Sequence, residues 1–117
     1  MKKTVRFVVG INIHEGKYDA FEAIARAMAE GTSQEEGAVA YEFFVSADKK
    51  RARLYEEYRD ASAAFAHLSG PVVTELVPQA LAVADVGSFE VYGEPGPDAT
   101  AVLSTFGAGA FAPLGGE

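Results

Sequence analysis

The sequence predicts an α+β domain whose elements run β-α-β-β-α-β, and three observations predict it. Residues 4–13, TVRFVVGINI, alternate, with Val5, Phe7, Val9, Ile11 and Ile13 on one face and Arg6, Val8, Gly10 and Asn12 on the other, which is a strand. Residues 18–30, YDAFEAIARAMAE, place Phe21, Ile24, Ala25 and Met28 at the i, i+3, i+4, i+7 spacing of a helix that faces a core. Residues 38–46 and 51–58, AVAYEFFVS and RARLYEEY, are aromatic-rich strands separated by the polar ADKK, so they pair as an antiparallel hairpin.

The remaining elements complete the order. HEGK (14–17) turns the first strand into the first helix, and Gly31 stands where a C-terminal glycine would stop it. Asp60 is a good N-cap for a short helix with Ala61, Ala64, Phe65 and Leu68 on its buried stripe. SGP (69–71) breaks that helix; Pro71 starts another piece carrying Val72, Val73, Leu76 and Val77, with whose continuation Pro78 interferes. LAVADVGSFEVYG (81–93) reads as the last strand, with Gly87 a bulge or bend. This is the ferredoxin-like, split βαβ plan, in which two helices cover one face of a four-stranded antiparallel sheet. Residues 1–93 form that domain, and 94–117 are a C-terminal extension.

Composition excludes several classes of function. A chain of 117 residues is one domain, and 49% apolar with 23% charged residues fits a globular chain. The excess of 17 acids over 10 bases gives a net charge of −7, which repels phosphate backbones and argues against a nucleic-acid partner. With no cysteine there is no disulfide framework, thiolate nucleophile or thiolate metal site. His14 and His67 have no ligand spacing with the carboxylates, so no metal is expected. No apolar run reaches the roughly 18–20 residues of a membrane span, and Met-Lys-Lys precedes an alternating segment rather than a signal-peptide core; a cytoplasmic location is expected.

The second strand is apolar on both sides, with Val39, Tyr41, Phe43 and Val45 on one and Ala38, Ala40 and Phe44 on the other. The face away from the helices therefore needs a cover, and a second copy of the same sheet supplies it, which predicts a homodimer. In the tail TAVLSTFGAGAFAPLGGE, residues Leu103, Phe106, Phe111 and Leu114 suit an arm over a partner; packing on its own subunit is the alternative.

Three stretches carry a resemblance: EGKYDAF (15–21), EEGAVAYEFFVS (35–46) and YEEYRDASAAFAHL (55–68). Gly16 and Lys17, then Glu36 and Gly37 with Tyr41, then Tyr58 nine residues before His67 and Leu68, together resemble the antibiotic biosynthesis monooxygenase family over about residues 4–92. The resemblance implies a dimeric α+β barrel with a cavity in each subunit between sheet and helices. It also implies oxidation of a quinol or polyphenol by molecular oxygen with no metal, flavin or other cofactor. An electron-rich phenolate can itself pass an electron to oxygen, so the protein need only bind it, help deprotonate it and exclude water.

On that resemblance His67 is the general base or phenolate partner and Tyr58 its catalytic neighbour. Asn12, Leu54, Glu56 and Phe65, with Phe43 or Phe44, whichever faces the helices, bind the small aromatic molecule. Leu54, Glu56 and Tyr58 share one strand face by period two. His67 falls about 110° from the centre of its helical stripe, a flank that suits half-buried packing as well as chemistry. Tyr58 and Glu56 also read as a structural pair, and Asn12 as a structural or surface residue. Leu54 stands where some catalytic members carry a polar residue, which keeps a non-catalytic binding or sensing module open; an isomerase on the same fold is the third reading. Haem-degrading relatives use positions that hold Val9 and Val77 here, and haem is set aside.

Overall fold

The alternation of the first strand decides the layering. In the computed structural model, which describes residues 3–116, β1 (Val5–Ile13) is central and buries Val5, Phe7, Val9, Ile11 and Ile13 beneath the helices. It pairs antiparallel with β3 (Arg51–Tyr58) on one side and β4 (Ala84–Tyr92) on the other. The hairpin partner β2 (Ala38–Val45) lies outside β3, antiparallel to it as expected. The sheet order is β2-β3-β1-β4-β5, where β5 (Gly109–Phe111) adds to β4 in parallel. Met1, Lys2 and Glu117, the outermost residues of the expected domain and extension, lie outside the described residues.

Gly87 is the extra residue of a bulge: Gly10 faces Ser88 and Ile11 faces Val86, so nothing on β1 pairs with it. Gly31 does not end its helix. The first helix, α1 (Tyr18–Thr32), runs through it, and a carbon added at Gly31 would sit 2.7 Å from Val72 Cγ2. The glycine is there for a close helix contact, a requirement that looks the same in sequence as a C-terminal stop. Phe21, Ala25 and Met28 are buried as the spacing predicts, while Ile24 is half-buried and Thr32 completes the stripe.

Asp60 caps α2 (Ala61–Leu68), accepting from the Ala63 N–H at 2.9 Å. The buried face of α2 is Ala63, Ala64, His67 and Leu68, rotated from the expected stripe, and His67 is 2% exposed rather than on a flank. The rotation has a local cause. A carbon on Gly37 would come within 2.3 Å of Ala63 Cβ, so the turn before β2 lies directly on the Ala63 side of the helix. After Pro71 the chain forms a π-helical turn (Val72–Leu76) and restarts as α3 (Val77–Leu81), with Pro78 in its first turn, where a missing N–H breaks no helical bond.

The tail forms α4 (Gly96–Ser104) and β5 on its own chain. Ala99 and Leu103 are buried with Val5, Phe7, Tyr58 and Ala64, and among the described residues the architecture is a five-stranded sheet with four α-helices. The sheet face away from the helices carries Arg6, Val8, Arg53, Tyr55, Glu57 and Phe44. Among the described residues no helix is long and apolar enough to cross a membrane.

Candidate active site

The alternation of β3 turns Leu54, Glu56 and Tyr58 toward the helices, and the hairpin register sets Tyr41 opposite Glu56 and Phe43 opposite Leu54. Between this patch and the helices is a cavity of about 90 Å³, room for several waters or a small organic molecule. Its wall is largely hydrocarbon, including Val9, Phe21, Met28, Phe43, Leu54 and Phe89. The polar residues that reach it are Tyr41, Glu56, His67 and Asp85.

Four of the side chains form a connected row. The Tyr58 hydroxyl donates to Glu56 Oε1 at 2.5 Å, and the same oxygen lies 3.5 Å from His67 Nε2. On the other side of the ring, His67 Nδ1 lies 2.9 and 3.1 Å from the two carboxylate oxygens of Glu35. The side chains of His67 and Glu56 are 3% and 6% exposed, so the contact between those two operates without competing solvent. The His67 ring lies 5.1 Å from that of Tyr58 and 5.5 Å from that of Tyr41.

Burial sets the protonation states. It pushes the Glu56 carboxyl up to about 8; the Tyr58 hydrogen bond opposes this and the charge of Glu35 adds to it. Burial pushes His67 down, against the pull of Glu35 in the opposite direction. Burial also raises the hydroxyls of Tyr41 and Tyr58, helped by the charge on Glu56. At neutral pH the row therefore holds a protonated Glu56, a neutral imidazole and the Tyr58 phenol, with the Tyr41 phenol beside it. The buried Thr32 hydroxyl faces Tyr41, whose phenol it stabilises in the ionised form, but among the described residues no partner lies within full hydrogen-bond geometry of it.

Of the residues expected at the site, the structure brings His67, Glu56, Leu54 and Phe43 to the cavity, and Tyr58 reaches it only through Glu56. Three do not come together with them. Asn12 is exposed on the far face of the sheet, because the even positions of β1 point away from the helices. Phe44 is 52% exposed on that same far face, since β2 parity gives the cavity to Phe43. Phe65 packs on the cluster of Val5, Phe7, Ala99 and Leu103, a consequence of the rotated α2. His14 pairs with Asp85 at 3.1 Å. Glu35 and Tyr41 were not singled out for the site; the position of Tyr41 opposite Glu56 was a signal available once the hairpin was paired.

Residues 4–79 match the antibiotic biosynthesis monooxygenase family. No curated protein matches the sequence. Among solved structures, MupZ from Pseudomonas fluorescens superposes with a TM-score of 0.85 at 24% identity, covering 100% of this chain and 90% of that one. SnoaB, a cofactor-independent oxygenase from Streptomyces nogalater, superposes at 0.70 and 17% identity over 81% of this chain and 96% of its own. Rv0793 from Mycobacterium tuberculosis gives 0.70 at 23% identity, over 80% and 97%. These likenesses establish the fold. With residues 4–79, about two-thirds of its length, matching that family, the chain belongs to the antibiotic biosynthesis monooxygenase family.

Proposed function

We propose that the protein is a cofactor-independent monooxygenase of a small aromatic quinol or polyphenol. The observation that carries this reading is the juxtaposition of His67 Nε2 and Glu56 in the wall of an otherwise apolar cavity. The neutral imidazole takes the phenolic proton, and the protonated Glu56, held by Tyr58, donates to the developing oxyanion. Leu54, Phe43 and Phe21 pack on the ring and exclude water. The phenolate passes one electron to O2, and the phenoxyl radical and superoxide combine in a C–O bond at a ring C–H carbon. The proton held by His67 goes to the outer peroxide oxygen. Loss of water, formed from that O–H and the ring hydrogen, leaves a carbonyl, so one oxygen atom enters the product and the other leaves as water.

Oxygen uptake with a panel of neutral quinols tests this: turnover falls by roughly 10²–10⁴ in His67→Ala if the imidazole is the base. Equal uptake by wild type and variant removes the assignment. The acid and base side by side at His67 and Glu56 also suit proton transfer in a carbonyl isomerase, which would convert its substrate without consuming oxygen. We further propose that the protein acts as a homodimer through the sheet face that carries Phe44 and Tyr55, with the 94–117 extension flanking that assembly.

A further inference from the structure

We propose that Glu35 is a positioning residue for His67, fixing the imidazole in the tautomer that leaves Nε2 bare toward Glu56 and the cavity. Both Glu35 oxygens lie within hydrogen-bond reach of Nδ1, at 2.9 and 3.1 Å, so Nδ1 carries the proton and Nε2 the lone pair. The carboxylate comes from the turn between α1 and β2, and that turn is held at several points. The Glu35 N–H donates to the Thr32 carbonyl at 2.9 Å, and its own carbonyl accepts from the Ala38 N–H at 3.2 Å. The Arg59 N–H donates to the Gly37 carbonyl at 3.0 Å, joining the turn to the segment that enters α2. Gly37 then rests on Ala63, one helical turn before His67 on the same face.

Among the described residues the remaining polar groups about the ring give Nδ1 no competing acceptor. Glu56 approaches from β3 on the Nε2 side, and Tyr58 from β3 and Tyr41 from β2 present their rings. Among the described residues only Glu35, with a side chain 25% exposed, reaches Nδ1. The role of the bare Nε2 as base rests on the monooxygenase reading, whereas the tautomer does not.

The test uses the full chain with ¹⁵N-labelled histidine, His14→Gln identifying the His67 signals. Long-range ¹H–¹⁵N correlations in wild type are expected to show protonated Nδ1 and bare Nε2. Glu35→Ala should give a mixed or reversed tautomer and a lower His67 pKa; Glu35→Gln should keep the tautomer, through its amide oxygen, while lowering the pKa. Oxygen uptake with a neutral quinol should then show kcat reduced at least tenfold in Glu35→Ala with KM within twofold. An unchanged His67 tautomer and titration in both variants overturns the proposal, whatever the activity. Absence of oxygen uptake in wild type removes the monooxygenase reading but leaves the Glu35 and His67 pairing to be decided by the spectra.

Discussion

Tyr58 and Glu56 stand two residues apart on the buried face of β3, and the Tyr58 hydroxyl donates to Glu56 Oε1 across 2.5 Å. That bond is the one contact that holds the Glu56 pKa down against burial. Tyr58→Phe should raise the Glu56 pKa further and destabilise the fold by about 1–3 kcal/mol through a buried acceptor left unpaired. Urea melts and a pH titration of the variant measure both; an unchanged titration shows the bond to be energetically silent.

Glu56 makes stability depend on pH. Its carboxyl ordinarily titrates at 4.5 but in the fold near 8, so between those values the native state holds a proton that the unfolded chain has released. The contribution is fully present below 4.5 and is lost as pH rises through about 8. Wild type should lose a few kcal/mol across that window relative to Glu56→Gln, which carries no titratable proton there. Parallel pH profiles for the two proteins would refute the burial argument.

Gly37→Ala should disturb the site from outside it. The added carbon meets Ala63 Cβ at 2.3 Å, so the turn must lift from α2 and take the Glu35 carboxylate with it. A loss of about 1–3 kcal/mol is expected, partly restored by Ala63→Gly in the same chain. Thermal melts of the single and double variants decide it.

Substrate charge should matter. Asp85 reaches the cavity wall, no lysine or arginine does among the described residues, and the chain carries a net charge of −7. A quinol bearing a carboxylate should bind about tenfold or more weakly than its neutral parent, equivalent to roughly 1.4 kcal/mol, and Asp85→Asn should recover part of that. Calorimetric titration of the pair with both proteins is the measurement.

Assembly predicts a mass. The chain is 12.4 kDa, and a sizing column coupled to light scattering should report about twice that. Phe44→Glu, a change on an exposed residue of the far sheet face, should shift the population toward the single chain. A wild-type monomer would remove the sheet-on-sheet cover.

Period-two alternation made β1 and β3 legible residue by residue, and with them the inward facing of Leu54, Glu56 and Tyr58. The Asp60 cap and the Gly87 bulge were equally legible, because each depends on a backbone requirement that few residue types satisfy. What failed was the rotation of α2. Eight residues with four alanines hold too weak an apolar contrast to fix a face, and the face is set instead by Gly37 meeting Ala63, a contact 26 residues apart in the chain. Glu35 was hidden for a related reason: it acts from a turn, where no periodicity marks which side chain points inward. Asn12 was misplaced by treating a polar strand residue as a cavity contact when its own parity assigned it to the opposite face.

The short β5 strand has a consequence for self-association in concentrated solution. By occupying part of the free edge of β4, it leaves β2 as the fully unpaired border of the sheet among the described residues, with Val39, Phe44 and Val45 at 60%, 52% and 47% exposure. Aggregation by strand addition would begin there, and the charged Asp48, Lys49 and Lys50 of the adjoining hairpin loop stand as gatekeepers beside it.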